Sequence, residues 1–270
     1  MNDLLILDAD TVTHGPAAPR KFAAQLTDEG DGRALVRFTD TTDHPRNLAL
    51  TLSLLSSLGT VLSVYPDDGC FSDLSVRTDA DPGRTHGTGE NRLHVDLVDR
   101  SDSPRYIALY CMRADPHGGG GSALSDLWAA AEALTPADRN LLRHPAFRYF
   151  TDEGVHGVGE SIPRFAVLPP HLDGRTPIRF TSKMLPHLQR GELLDDHPHP
   201  AGAVAEAFGR LVEAAVQYRT TVNLSPGELL VFDQWRYAHG RMPLGRDQAG
   251  LPPEQRRLLK QAYVAAGGAR

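Results

Sequence analysis

The chain is short of cysteine: Cys70 and Cys111 are the only two in 270 residues, far apart and set among apolar neighbours. That argues against a disulfide framework and fits a reducing compartment. It also lacks any apolar run near the roughly 20 residues that cross a bilayer. Its first residues, Met1-Asn2-Asp3-Leu4-Leu5-Ile6-Leu7-Asp8, place an acid where a secretory leader is basic, and their apolar stretch is too short for a leader core. A cytoplasmic protein with no membrane partner is expected. Positive charge is in deficit, with 28 Lys and Arg against 34 Asp and Glu, a net charge of −6 and a pI near 6.0, so no electrostatic footprint for nucleic acid exists. The partner to expect is a small molecule. The glycine run 118–121 is followed by serine with no lysine, which excludes a phosphate loop. No nucleophile-elbow pattern supports a hydrolase triad.

What is present is enough for one full-sized core: 40% hydrophobic residues and no linker-like stretch imply a single domain over 1–270. Twenty prolines and twenty-five glycines imply many turns and long loops on a β-rich scaffold. Helices are expected over 17–29, from Pro45 with Leu48, Leu52, Leu55 and Leu58 inward and Gly59 closing it, from Asp126 to Leu134, from Pro136, and over 203–218. Strands are expected over 34–38, 60–65, 71–77, 106–112, 228–232 and 258–264, with a loop over 84–92. Residues 151–200 show little periodicity and read as a long lid insertion. This order fits a β-rich α+β fold, a double-sheet jelly roll of cupin type with flanking helices.

Leu93-His94-Val95-Asp96 organises the rest. A histidine and an aspartate one residue apart point to the same side of a strand and can share one ion. His239, in Trp235-Arg236-Tyr237-Ala238-His239-Gly240-Arg241, offers a third ligand. Two histidines and one carboxylate make the facial triad of non-haem Fe(II) oxygenases, which leaves three positions open.

These segments, with Gly119-Gly120-Gly121-Ser122, Gly227 to Asp233, His239-Gly240-Arg241 and Arg257 to Val264, resemble the taurine dioxygenase and clavaminate synthase-like group of Fe(II)/2-oxoglutarate-dependent oxygenases. The resemblance runs from about Gly89 to Val264. It implies a double-stranded β-helix, Fe(II) on His94, Asp96 and His239, O2 and 2-oxoglutarate as cosubstrates, and Arg257 and the Ser122 hydroxyl on the 2-oxoglutarate carboxylate. Three departures stand out. Serine replaces the usual threonine at 122. The interval from His239 to Arg257 holds an extra loop over 245–253, which makes Arg256 or Arg246 substitute anchors. Gln261 stands where a second arginine is common.

The carboxylate of Asp96 is retained, unlike in related halogenases, so hydroxylation of an unactivated C–H is the expected reaction, with desaturation, epimerisation or ring formation as branches. The expected substrate is a small polar metabolite, an amino acid or a derivative of natural product metabolism, either free or tethered to a carrier protein. Arg164 and Arg179 in the lid and Trp235 near the third ligand are candidate substrate contacts. Arg241 is expected to bond Asp233, and the remaining histidines to lie in loops, with His156 or His187 able to face substrate. The reading from another class is a jelly-roll metal-binding protein without turnover. A zinc hydrolase would need a general base that no motif supplies.

Overall fold

Eleven strands and seven helices occupy the described residues of the computed structural model, which are 5–8, 18–27, 30–65, 69–77, 83–149 and 155–266. The strands are β1 (Leu5–Asp8), β2 (Arg33–Arg37), β3 (Gly59–Leu62), β4 (Ser72–Ser75), β5 (Asn91–His94), β6 (Tyr106–Arg113), β7 (Ser122–Asp126), β8 (Arg219–Val222), β9 (Glu228–Asp233), β10 (Tyr237–Arg241) and β11 (Leu258–Ala266). They form two sheets. The larger runs β1-β2-β9-β6-β11-β3 with β4 also paired to β11, and the smaller runs β5-β10-β7-β8. All pairs are antiparallel except β1 with β2.

Strand alternation sorts the side chains into three apolar layers. Ile107, Leu109 and Cys111 of β6 join Leu230 and Phe232 of β9, Leu259 and Tyr263 of β11, and Leu124 and Tyr237 of the small sheet in the layer between the sheets. Their neighbours Tyr106, Ala108, Tyr110, Leu229, Val231, Ala262 and Val264 point the other way and meet α1 (Ala18–Leu26) and α2 (His44–Ser56). Ala123 and Ala238, on the outer face of the small sheet, meet α4 (Leu127–Glu132), α5 (Pro136–Leu142) and α7 (Ala201–Gln217). The near-continuous apolar strand 106–112 is thus buried on both faces, as its composition requires. The architecture is the expected β-rich jelly roll with flanking helices.

Some local readings are corrected. Helix α2 ends at Ser56, with the Ser57 N–H on the Leu54 carbonyl and the Leu58 N–H on the Leu55 carbonyl, and Gly59 opens β3 instead of capping the helix. Its buried line is Asn47, Thr51, Leu54 and Leu55. Polar residues face inward there because Asn47 Nδ2 donates to the Asp40 carbonyl at 2.7 Å and to the Tyr110 hydroxyl at 3.1 Å, and Thr51 donates to the Asn47 carbonyl. The stretch 84–92 holds the short helix α3 (Gly83–His86) before β5 begins at Asn91. Strand β7, between the glycine run and α4, is absent from the sequence reading, as are β8 and β10. Within the lid stretch lie a 3-10 turn (Ser182–Met184) and α6 (Leu185–Gln189). Cys111 is buried and Cys70 exposed, and neither is in a disulfide.

Candidate metal centre

The pairing of β5 with β10 creates the site. His94 and His239 are register partners, and their rings stand 4.4 Å apart between centroids. Gly240 follows at an irregularity in that ladder, where a β-carbon would stand 2.5 Å from the Asn91 carbonyl oxygen, so the strands approach this closely only with glycine there. The strand reading of the His-x-Asp pair needs one correction. β5 ends at His94 and Asp96 lies in the turn beyond it, but the chain stays pinned by Val95 N–H on the Phe180 carbonyl and by Asp96 N–H on Gln234 Oε1 at 3.0 Å. Gln234 in turn donates to the Pro104 carbonyl at 2.6 Å.

Asp96 therefore meets both imidazoles, with Oδ1 at 3.2 Å from His94 Nε2 and Oδ2 at 3.5 Å from His239 Nε2. One ligand atom from each of the three lies within 4.8 Å of the others. His94 Nδ1 donates to the Arg92 carbonyl at 2.7 Å, which leaves the Nε2 lone pair toward Asp96. Tyr263 and Gln261 donate to Asp96 Oδ2 at 2.9 and 3.3 Å. Burial pushes the Asp96 carboxyl up, and the neighbouring imidazoles outweigh it, holding the carboxyl well below the usual carboxylate range. Burial lowers His239, aided by the charges of His94 and Lys183 and opposed by Asp96. A part-buried carboxylate facing two imidazole nitrogens, with no lysine or arginine paired to it among the described residues, fits a divalent ion.

One cavity of about 100 Å³ joins His94, Asp96 and His239 to Ser122, Arg241 and Arg257. Arg257 is 8% exposed and no carboxylate pairs with it among the described residues. Burial, then the neighbouring Arg241, pushes its guanidinium down to about 10, so it stays charged at neutral pH. A buried cation without a protein counter-ion fits an anionic guest. Ser122 opens β7 with its side chain on the same inner face. Arg256 donates to the Leu251 carbonyl at 2.8 Å, and neither it nor Arg246 lines the cavity.

The three candidate substrate contacts lie elsewhere. Arg164 is about half exposed and pairs with Asp195 at 2.9 Å and Asp196 at 3.3 Å. Arg179 spends its guanidinium on the carbonyls of Val98 and Arg100. Trp235 lies under the Arg105 guanidinium, 5.3 Å away, and donates to the Ser103 carbonyl. None of them lines the cavity. Arg241 does, bonded to the Gly89 carbonyl at 2.6 Å, and the Asp233 expected to hold it pairs with Arg105 at 2.9 Å. His187 sits in an exposed cluster with Glu192 and Arg190, and His156 is exposed. The sequence reading missed Tyr263; the signal available was alternation on β11, which puts residue 263 on the same face as residue 261.

Residues 19–263 match the family described as "Taurine catabolism dioxygenase TauD, TfdA family". A uridine-5'-phosphate dioxygenase of Amycolatopsis sp is 32% identical over 205 residues, which cover 73% of this chain and 69% of that one. Two solved structures share the fold. An asparagine oxygenase in complex with Fe(II), 2S,3S-3-hydroxyasparagine and succinate superposes with a TM-score of 0.72 at 19% identity, covering 96% of this chain and 93% of its own. The non-haem iron oxygenase OrfP in complex with Fe and alpha-ketoglutaric acid gives 0.70 at 16% identity, covering 97% and 94%. The match over nearly the whole described chain and the curated relative agree with the geometry of the centre: this chain belongs to the TauD/TfdA family of iron(II)- and 2-oxoglutarate-dependent dioxygenases.

Proposed function

We propose that the chain hydroxylates an unactivated C–H of a small polar metabolite, with Fe(II) on His94, Asp96 and His239 and 2-oxoglutarate anchored on Arg257 and Ser122. The observation that carries this reading is a double charge deficit in one cavity: among the described residues the part-buried Asp96 carboxylate faces imidazoles with no lysine or arginine paired to it, and the buried Arg257 pairs with no carboxylate. An iron ion and a dicarboxylate supply the two missing charges. When bound, iron and 2-oxoglutarate activate oxygen and deliver the oxidising equivalent. The protein contributes positions and dryness. His94 is oriented by the Arg92 carbonyl, and Arg257 holds the far carboxylate as a forked donor. A metal binder without turnover has no use for that buried guanidinium. The irregular stretch after residue 155 acts as the lid, because Thr181 pairs with His94 and Ser182 donates to the Leu93 carbonyl at 2.9 Å, placing it beside the metal strand.

For the substrate, the fold relatives held in complex with 2S,3S-3-hydroxyasparagine and (3S)-hydroxy-L-Arg support an amino acid or amino-acid derivative of natural product metabolism. The uridine-5'-phosphate dioxygenase, at higher identity, supports a nucleoside monophosphate as the second reading. The test begins with anaerobic Fe(II)-loaded protein titrated with 2-oxoglutarate. A weak visible charge-transfer band is expected in wild type and should vanish in Asp96→Ala and His239→Ala. Iron uptake with no band would sink the cosubstrate assignment. Succinate release is then scored for free amino acids, their carrier-tethered forms and nucleoside monophosphates. Stimulation by the nucleotide alone replaces the first substrate class with the second.

A further inference from the structure

Strand β11 sends Gln261 and Tyr263 to the inner face while Ala262 between them joins the outer layer. Both inner side chains converge on one atom. The Tyr263 hydroxyl donates to Asp96 Oδ2 at 2.9 Å and Gln261 Nε2 donates to the same oxygen at 3.3 Å. Both residues are buried, and a side-chain hydrogen bond links Tyr263 onward to Tyr65. The Asp96 backbone is fixed separately by Gln234. The carboxylate is thus gripped at Oδ2 and at its amide, and Oδ1, 3.2 Å from His94 Nε2, receives neither of those donors.

We infer that Gln261 and Tyr263 are positioning residues that hold the Asp96 carboxylate by Oδ2 and so set the orientation in which it would meet a divalent ion. The inference rests on the assignment of His94, Asp96 and His239 as ligands. Its physical content lies in the neutrality of both donors. A carboxylate has about four lone-pair sites. Two neutral donors on one oxygen fix its plane and preserve its charge for the ion.

The experiment is titration of the metal-free full chain with Fe(II) under anaerobic conditions and, in parallel, with Co(II) followed by its visible absorption. Wild type should bind one ion. Tyr263→Phe and Gln261→Met should each bind about 10- to 100-fold more weakly, with a changed Co(II) band as the released carboxylate alters its mode of ligation. Thermal unfolding of the metal-free variants checks the fold, and if Tyr263→Phe does not fold, Gln261→Met carries the test. Wild-type affinity and an unchanged Co(II) spectrum in the folded variants would overturn the inference and leave the ligand assignment standing. Binding that survives His94→Ala and His239→Ala would remove the ligand assignment, and the inference with it.

Discussion

Gly120 stands against Arg257: a β-carbon on the glycine would lie 2.8 Å from the arginine Cδ and 3.0 Å from its Nε. The glycine also has φ +72°, where side chains are disfavoured. Its loop is held by the Asp115 carboxylate, which accepts from the backbone N–H groups of His117, Gly119 and Gly245 and from Gln248 Nε2 at 2.6 to 3.2 Å. The glycine run is therefore a packing surface against which Leu244, Gly245 and Arg257 sit. Gly120→Ala should cost about 1–2 kcal/mol from the left-handed backbone and displace Arg257. The expected signature is a raised KM for 2-oxoglutarate with a smaller change in kcat. A lower Tm with unchanged KM would reduce Gly120 to a structural role.

Arg257 itself can be removed without stranding a partner. Since no carboxylate pairs with it among the described residues, Arg257→Met breaks no ion pair and should leave the ligand-free protein as stable as wild type or more so. The cosubstrate should bear the loss. Truncating one side of a buried charge pair costs about 2–5 kcal/mol, so KM for 2-oxoglutarate should rise by about a hundredfold or more. Arg256→Ala and Arg246→Ala should leave it unchanged. A shifted requirement in either would move the anchor away from residue 257.

Legibility in the sequence follows the range of the interactions. Strands such as 106–112 and 258–264 and the helix over 203–218 are dictated by local pattern and burial, so their periods read directly. The candidate set of His94, Asp96 and His239 was readable because ligand chemistry restricts residue types, although the β5–β10 register brings the histidines together while Phe180 and Gln234 hold the turn that carries Asp96. What the sequence hides is competition for partners. Arg164, Arg179 and Arg241 look alike in one dimension. Asp195 and Asp196 claim the first, two backbone carbonyls the second, and the cavity wall the third. Asp233 goes to Arg105 for the same reason. Likewise, Asn47 faces inward on α2 against the leucine pattern because Asp40 and Tyr110 accept its donors, and Thr51 follows it with its hydroxyl on the Asn47 carbonyl.

Proton linkage gives a further check on the centre. Burial holds His239 below its ordinary value of 6.5, so below that pH the unfolded chain accepts a proton that the folded protein resists. The unfolded state then binds more protons, and stability falls as pH falls, by up to about 1.4 kcal/mol per pH unit for one group. Asp96 is held below 3.8, so its contribution is present above that value and is lost only as pH drops further, through its folded value. Between pH 7.5 and 5, the His239 effect should therefore dominate the difference between metal-free wild type and His239→Gln in urea unfolding. Wild type should lose stability relative to the variant as the solution is acidified. Divalent-ion affinity should weaken over the same interval, because the ion and the proton compete for the same imidazole nitrogen. Parallel stability curves for the two proteins would mean that His239 is not held neutral by its burial.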